Sequence, residues 1–208
     1  MLINELIKVL ELSWNRNTCT PSLQDSWNED NKALGQCAVT ALIVNDFLGG
    51  KIMRCMCESG SHYYNLINNK VIDLTSSQFN EIPDYTKGEE RTREYLFSNK
   101  DTKKRYRLLL NKVKDNFVKY GTKKYTLFDV NGQYFTKIPG TCGGNKKLKV
   151  YGRLDCPNAL RYLENGYYSE NRVFFENIET AQKLGYRPCA KCMRKEYEKW
   201  KENKMKNR

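Results

Sequence analysis

The chain has 208 residues, with 36 Lys and Arg against 24 Asp and Glu, eight cysteines and a single histidine. A mean hydropathy of −0.76 and the lack of any run of about 18 apolar residues argue against a membrane-spanning helix. Aromatic residues make up 12% of the chain, enough to build a core, and one histidine excludes zinc sites that need two imidazoles.

The charge is distributed unevenly along the chain. Residues 1–86 hold 6 Lys and Arg against 10 Asp and Glu, a net charge of −4, whereas residues 87–208 hold 30 against 14, a net charge of +16. This asymmetry predicts two functional parts, of which the basic one would bind nucleic acid. The alternative is a basic, solvated surface that has no partner.

The start of the chain and its cysteines indicate the compartment. The amphipathic stretch MLINELIKVLELSW has neither an uninterrupted apolar segment nor a small-residue cleavage site, so we expect a cytoplasmic protein. In a reducing compartment, eight cysteines are better explained as metal ligands, a nucleophile or core residues than as disulfides.

Two helices are predicted first. Apolar residues at helical spacing indicate a helix over 2–14. The run over 36–48 is too long for a typical strand and apolar nearly all round, which indicates a buried helix that stops at Gly49.

Strands and a basic helical region follow. Alternating apolar residues predict three strands, at 51–58, 61–67 and 71–75, with Asn68-Asn69 as a tight turn. A basic helical region is expected over 88–120, and the Lys, Gly and Thr residues of 119–124 mark a joint between two domains.

The second half of the chain is predicted to combine short strands and helices, with no internal repeat. A hairpin of TLFDV and QYFTKI is expected around Asn131-Gly132, followed by a flexible glycine-rich bend over 139–144. The remaining predictions are strands at 149–151 and 172–175, helices at 157–165 and 178–184, a basic helix from 193, and a frayed basic tail over 201–208.

Three residues of the first half fit a thiol enzyme. Cys37 begins the buried helix, where unpaired amides and the helix dipole favour a thiolate. His62 on the second strand could deprotonate Cys37, and Asp73 on the third strand could orient the imidazole. The alternative is that Cys37 is a small buried core residue.

The turn between the strands decides whether this arrangement is possible. A two-residue turn at Asn68-Asn69 pairs Tyr64 with Asp73 and places His62 on the same face as Asp73, whereas a three-residue turn separates them. For the oxyanion, Gln36 or the loop residues Asn28 and Asn31 could donate together with the backbone amide of Cys37.

The order of Cys on a helix, then His and Asp on successive strands, resembles the core of papain-like and transglutaminase-like thiol enzymes. This half contains the segments TCTPSLQDSWNEDNKALGQCAVTALIVNDFLGG, SHYYNLI, VIDLTSSQF and EYLFSNKDTKKRYRLLLNKV. Through these segments, residues 5–118 resemble the YunG family. This resemblance supports an established domain and its boundary rather than a particular chemistry.

A second group of residues fits a metal site. The sequence RPCAKC places Cys189 and Cys192 two residues apart at a helix entry, and Cys156 supplies a distant third sulfur. A structural zinc needs four ligands. The candidates for the fourth are Cys142 first, Asp155 second and a bound water third. A thioredoxin-like redox pair and simple reduced cysteines are the alternatives.

The same half resembles the metal-binding domain of the DNA repair protein Ada, through YGRLDCPNALR and RVFFENIETAQKLGYRPCAKC. The resemblance implies zinc held by cysteines at the positions of Cys156, Cys189 and Cys192. In that family a further cysteine, four residues before Cys156, accepts a methyl group from DNA. Gly152 stands there in this chain, which argues against self-methylating repair.

The resemblance also implies DNA as a partner, and the composition agrees. Tyrosines are interleaved with basic residues that would contact phosphates with little sequence specificity. The candidate nucleic-acid-binding residues are Lys146, Lys147, Lys149, Arg153, Arg161, Arg187, Lys191 and Arg194.

We therefore expect an α+β protein in which a papain- or transglutaminase-like domain over 1–118 is followed by a small zinc-binding α+β domain over 125–200. The expected function is a zinc-containing, nucleic-acid-associated protein with a cysteine-dependent hydrolase or acyltransferase domain. The alternatives are a non-enzymatic DNA-binding or regulatory module and an alkyl-transfer repair protein.

Overall fold

The structure is a computed structural model that describes residues 2–58 and 60–206. The chain divides into two compact units, Met1–Gly121 and Thr122–Arg208, and the division falls inside the predicted joint. Both units combine helices with strands, which confirms the α+β class. The last two residues of the predicted tail, 207 and 208, lie outside the described residues.

In the part of the first unit that the structure describes there are four α-helices and four strands. The helices are α1 (Leu2–Ser13), α2 (Cys37–Leu48), α3 (Arg93–Ser98) and α4 (Lys100–Tyr120), and the strands are β1 (Lys51–Cys57), β2 (Gly60–Ile67), β3 (Lys70–Ile72) and β4 (Glu89–Arg91). The basic region predicted as helical over 88–120 thus begins with a short strand. It then forms two helices, because Asn99 accepts a hydrogen bond from the Thr102 amide and caps α4.

The helix α2 forms the core of this unit. Its apolar residues are buried on nearly every side, as predicted from the sequence. Phe47 near its end packs against Phe117 of α4, with 5.4 Å between ring centroids. Gly49 ends the helix with a φ of 76°, a conformation that favours glycine. The core therefore fixes α2 in place.

The sheet beside α2 is antiparallel, in the order β3-β2-β1-β4. Asn68 and Asn69 both have positive φ values, 50° and 61°, and Ile67 pairs with Lys70. The predicted two-residue turn is therefore confirmed. Inside the unit, Asn65 of β2 donates its side-chain amide to the carbonyl of Ala41 in α2, at 3.0 Å.

Over residues 122–206 the second unit has three α-helices and six strands. The strands are β5 (Tyr125–Asp129), β6 (Gly132–Thr136), β7 (Cys142–Asn145), β8 (Val150–Gly152), β9 (Arg172–Phe175) and β10 (Arg187–Pro188), and the helices are α5 (Pro157–Glu164), α6 (Ile178–Lys183) and α7 (Arg194–Lys206). Strands β5 and β6 form a hairpin, and the other four form a sheet in the order β10-β8-β7-β9. The helix α7 includes residues that we predicted as a frayed tail.

Two predictions for this unit are wrong. Asp129 pairs with Gly132, so the hairpin turn is formed by residues 130 and 131 rather than by Asn131-Gly132. The second half of the predicted flexible bend, from Cys142 onward, belongs to the buried strand β7, whose glycines allow close packing. A Cβ on Gly144 would lie 2.8 Å from the ring of Phe175, so only a glycine lets the strand approach this closely.

Within residues 2–58 and 60–206, none of the helices combines the length and the apolar character that a membrane crossing requires.

The aromatic contact of α2 gives the first prediction. Replacing Phe47 by Ala removes a ring that is 1% exposed and should lower the free energy of unfolding by about 3–5 kcal/mol, because a cavity remains. Urea denaturation, with hydrogen exchange of the α2 amides to assign the unit, measures this. Val118→Ala on α4, at a side chain 57% exposed, should change stability by less than about 0.5 kcal/mol, and equal effects of the two changes would contradict the prediction.

Candidate functional site

Cys37 is the first residue of α2, and its side chain is half-buried. The N-terminal turn of a helix presents amide groups without partners in the helix and the positive end of its dipole. The sequence placed Cys37 here correctly.

His62 and Asp73 form a buried pair opposite this helix end. The Nε2 atom of His62 lies 2.6 Å from Oδ2 of Asp73, and both side chains are at most 4% exposed. Asp73 follows β3 rather than belonging to it, which corrects the prediction of a strand residue. The ladder of β2 and β3 ends at the pair of Asn65 and Ile72, one position before Asp73, and the two side chains meet just beyond it.

Two residues beyond the strands hold the Asp73 carboxylate. Thr75 donates both its backbone amide and its hydroxyl to Oδ1, each at 2.9 Å. Tyr85 donates its hydroxyl to Oδ2 at 2.8 Å. These bonds fix the orientation of the carboxylate toward His62. Neither contact with Asp73 was predicted. Tyr85 lies twelve positions further along the chain, and nothing in its sequence context distinguishes it.

The pair is charged at neutral pH. Burial lowers the pKa of His62, but hydrogen bonds to Asp73 and Cys37 outweigh it and raise the pKa to about 9. Burial raises the pKa of Asp73, and the hydrogen bond with His62 overcomes this effect, so the pKa lies below its usual value. An imidazolium and a carboxylate therefore face each other across 2.6 Å.

The second ring nitrogen of His62 points to the role of Cys37. Nδ1 is buried and makes no hydrogen bond of standard geometry with the described residues. Cys37 lies close enough to raise the pKa of His62 through a hydrogen bond and through its charge. Asp73 and Cys37 thus both lie near the same imidazole.

Other cysteines of the first unit are poor nucleophiles. Cys19 and Cys55 are at most 2% exposed, and burial raises their pKa values to about 11 and about 12. Cys55 pairs directly with His62 across β1 and β2. Its position in the sheet, with a protonated thiol, is that of a core residue.

Gln36 does not serve the predicted oxyanion role in this structure. Its side chain is fully buried, and its Nε2 donates to the backbone carbonyl of Asn15 at 3.0 Å. Asn28 donates its side-chain amide to the carbonyl of Ser26 within its own loop, at 3.2 Å. Asn31 and the backbone amide of Cys37 are the predicted donors that are left.

Three cysteines of the second unit lie together. Strands β8 and β10 run parallel, so their ends meet at one edge of the sheet, where Cys156 follows β8 and Cys189 follows β10. The sulfur atoms of Cys156, Cys189 and Cys192 lie within 4.8 Å of one another, with 3.9 Å between those of Cys156 and Cys189. Four thiolates about 2.3 Å from a tetrahedral zinc stand about 3.8 Å apart, so this donor set fits zinc.

The hydrogen bonding of these sulfurs also suits a metal. A hydrogen bond with Cys192 holds the pKa of Cys156 well below its usual value, to about 5, and amides at the start of α5 add to this effect. The same hydrogen bond raises the pKa of Cys192, with burial as a second cause. One sulfur is thus readily deprotonated, and thiolates are the form that binds zinc.

The two protein candidates for a fourth ligand lie elsewhere. Cys142 is 1% exposed on β7, its sulfur contacts the carbonyl oxygen of Gly152 at 3.5 Å, and burial raises its pKa to about 12. Our prediction that it folds over the site on a flexible bend is wrong, since strand pairing fixes it. Asp155 binds Arg153, with 2.8 Å between Nε and Oδ1.

The basic candidates all lie in the second unit. Seven of the eight are exposed, and Arg187 is half-buried below Tyr197 and Trp200 of α7. They lie on the β7–β8 turn, after β8, on α5, on β10, between the metal-site cysteines and at the start of α7: Lys146, Lys147, Lys149, Arg153, Arg161, Arg187, Lys191 and Arg194. The unit holds 19 Lys and Arg against 9 Asp and Glu over 122–208, a net charge of +10.

Two protein families match the chain. Residues 2–118, more than half of it, match the family described as YunG protein, and residues 141–194 match the metal binding domain of Ada. The chain is 38% identical over 77 residues to "Uncharacterized protein YunG" of Bacillus subtilis (strain 168). That segment spans 37% of this chain and 63% of the relative. No solved structure matches.

The matches agree with the positions of the two sites. Cys37, His62 and Asp73 lie within the first match, and the three-cysteine group lies within the second. The second unit is therefore a zinc-binding domain, in which Cys156, Cys189 and Cys192 supply sulfur ligands. By the first match, the chain belongs to the YunG family.

Proposed function

We propose that the first unit is a cysteine-dependent hydrolase or acyltransferase. The observation that carries this proposal is the buried pair of His62 and Asp73, 2.6 Å apart, beside Cys37 at the start of α2. A nucleophile, a base and a group that orients the base are the three parts that nucleophilic acyl transfer requires. They occur here on three separate elements that the core holds together.

Each residue has a definite role in the proposed reaction. In the reactive state the proton of the Cys37 thiol resides on His62, and the thiolate attacks the carbonyl carbon of an amide or ester. Asp73 stabilises the imidazolium, while Thr75 and Tyr85 hold the carboxylate. His62 then returns the proton to the leaving group. Water or a second nucleophile attacks the thioester, which releases the acyl group and restores Cys37.

The first turn of α2 supports the charge that develops on the carbonyl oxygen. Its backbone amides, including that of Cys37, lie at the positive end of the helix. Since the Gln36 side chain is bound to Asn15, the proposal assigns oxyanion stabilisation to backbone groups. The ring of Phe79 packs edge-on against His62 at 4.7 Å, where it shields the imidazole from water on that side.

A groove beside Phe79 is the proposed approach for substrate. It has a volume of about 530 Å³, and Cys57, Gln78 and Phe79 form part of its wall. Exposed carboxylates of Glu58 and Glu81 lie along the same groove. This charge favours a neutral or basic acyl substrate over an acidic one.

Thiol reactivity provides the direct test of the nucleophile. In the native chain, iodoacetamide should alkylate Cys37 about ten times faster or more than Cys19 or Cys55. The reason is that the Cys37 thiol interacts with the imidazole of His62, whereas the thiols of Cys19 and Cys55 are buried. Peptide mass spectrometry measures the rate at each cysteine. His62→Ala should remove the advantage of Cys37, and Ser61→Ala, at an exposed neighbour on β2, should keep it. Equally slow alkylation of all three thiols in the folded native chain would contradict the proposal.

The charge state of His62 gives a second test. Because this is the single histidine of the chain, one set of imidazole signals in an NMR titration should report a midpoint near pH 9. Asp73→Asn removes the partner and should lower the midpoint, since burial then dominates. A midpoint at or below 6.5, the usual value for a free imidazole, would contradict the ion pair.

The same shift has a consequence for stability. The pKa of His62 is higher in the folded chain than in the unfolded chain, so folding takes up a proton. The stabilisation is fully present below about pH 6.5 and is lost as the pH rises through about 9. Thermal denaturation across this range should show the decrease in the native chain and not in His62→Ala.

We also propose that the second unit associates with DNA. Its net charge of +10 and its exposed lysines and arginines, next to the exposed rings of Tyr162 and Tyr167, support this function. The metal binding domain of Ada, which this unit matches, is associated with DNA. If the chain is instead a non-enzymatic DNA-binding module, this binding should still occur and Cys37 should show no enhanced reactivity.

Salt dependence tests the association with DNA. Fluorescence anisotropy of a labelled duplex should show binding by the full chain that weakens steeply with salt. Replacing both Lys146 and Lys147 by Ala should reduce the slope of log K against log salt by about 1.8, if each neutralises one phosphate. Lys183→Ala on α6, an exposed lysine outside the proposed surface, is the control. Absence of binding at low salt would exclude the function.

A further inference from the structure

Gly152 stands directly beside the three-cysteine group. A Cβ added to this residue would lie 2.7 Å from the sulfur of Cys192 and 3.2 Å from the Cβ of Cys189. A side chain at this position would therefore collide with the Cys192 sulfur unless that sulfur moved. Glycine adds no donor atom and leaves the neighbouring cysteines in place.

No other donor of the described residues joins the three-cysteine group. A group of metal-ligating side chains was found only for Cys156, Cys189 and Cys192 within residues 2–58 and 60–206. Cys142 contacts the carbonyl of Gly152 from β7, and Asp155 is bound to Arg153. Since zinc in proteins takes four ligands, three cysteines leave one position for a ligand from outside the chain.

A pocket of about 130 Å³ adjoins this position. Gly152, Cys156 and Cys189 form one side of it, and Asn145, Tyr168 and Arg172 are among the residues of the other walls. At about 30 Å³ for each water molecule of liquid, the pocket holds roughly four waters or a molecule of similar size. Only a small ligand fits here together with the metal.

Arg172 gives the pocket a positive charge. Its guanidinium lies over the ring of Tyr168, 5.2 Å from the centroid, and its Nε is buried without a hydrogen-bond partner among the described residues. A buried donor without a partner is costly unless a ligand satisfies it. The guanidinium is thus placed to bind a carboxylate or a similar anion.

We propose that Gly152 leaves one coordination position of the zinc open to this pocket, and that a small anionic thiol binds there. Cys156, Cys189 and Cys192 would hold the zinc, the ligand would give its thiol proton to solvent and supply the fourth sulfur, and its anionic group would bind Arg172. Thiolate sulfur is a preferred donor for zinc. This inference rests on the zinc site of the second unit and is independent of the proposed chemistry at Cys37.

Cobalt substitution of the full chain tests the open position. Co²⁺ replaces zinc, and its visible absorption bands change with the number of bound sulfurs. We expect the spectrum of three thiolates, which mercaptoacetate converts to that of four. Ethanethiol, a neutral thiol, should require about ten times more ligand, because it lacks the charge-assisted contact with Arg172. A native spectrum that already shows four sulfurs, or one that mercaptoacetate leaves unchanged, would overturn the proposal.

Three variants that add or remove a cysteine distinguish the possible sources of the fourth ligand. Gly152→Cys should give the four-sulfur spectrum without added thiol and should no longer respond to mercaptoacetate. Ser169→Cys adds a cysteine at an exposed position of the same unit and should behave as the native chain. Cys142→Ser should leave the spectrum unchanged, and loss of a sulfur ligand in this variant would assign the position to Cys142 and overturn the proposal.

The contribution of Arg172 is measured separately. Arg172→Ala should weaken mercaptoacetate binding about tenfold and leave both ethanethiol binding and the amount of bound cobalt unchanged. Equal affinity of the variant and the native chain for mercaptoacetate would show that the guanidinium does not select the ligand. That outcome would overturn the anionic part of the proposal.

Discussion

The first unit depends on the burial of a helix that is apolar nearly all round. Such a helix has no face to offer to solvent, so α2 must be covered on all sides, and α4 and the antiparallel sheet supply part of that cover. Its position is then fixed by packing rather than by the few groups at its ends. Cys37 inherits this rigidity, and the neighbouring strand β2 delivers His62 to the same place. The preorganised geometry follows from core packing.

The second unit depends on close approach of backbone segments. Strand β7 carries two consecutive glycines, and Gly144 brings the backbone against Phe175. The parallel pairing of β8 with β10, including the hydrogen bond from the Cys189 amide to the Tyr151 carbonyl at 2.8 Å, aligns the two cysteine-bearing segments. The metal site is therefore formed where two strand ends meet, and zinc binding stabilises that edge of the sheet.

Much of the arrangement was predictable from local signals. Asn68-Asn69 predicts a two-residue turn, which sets the pairing of β2 with β3 as far as Asn65 and Ile72, and Asp73 follows directly within reach of His62. The short spacing of Cys189 and Cys192 likewise predicts that both bind the same metal ion. In contrast, Tyr85 reaches Asp73 from a loop with no periodicity. The strand β7 was missed because glycines are rare in strands, and only its partners β8 and β9 explain it. Contacts that depend on distant partners leave no pattern in the local sequence.

The hydrogen bond from Asn65 to the carbonyl of Ala41 has a consequence for motion in the first unit. Asn65 lies one residue beyond Tyr64 on the strand of His62, and Ala41 lies one helical turn beyond Cys37. The strand and the helix are consequently tied at a point where neither residue is more than 2% exposed. Sliding of one element along the other would leave a buried amide without a partner. Cys37 and His62 therefore keep their separation as long as this hydrogen bond is intact.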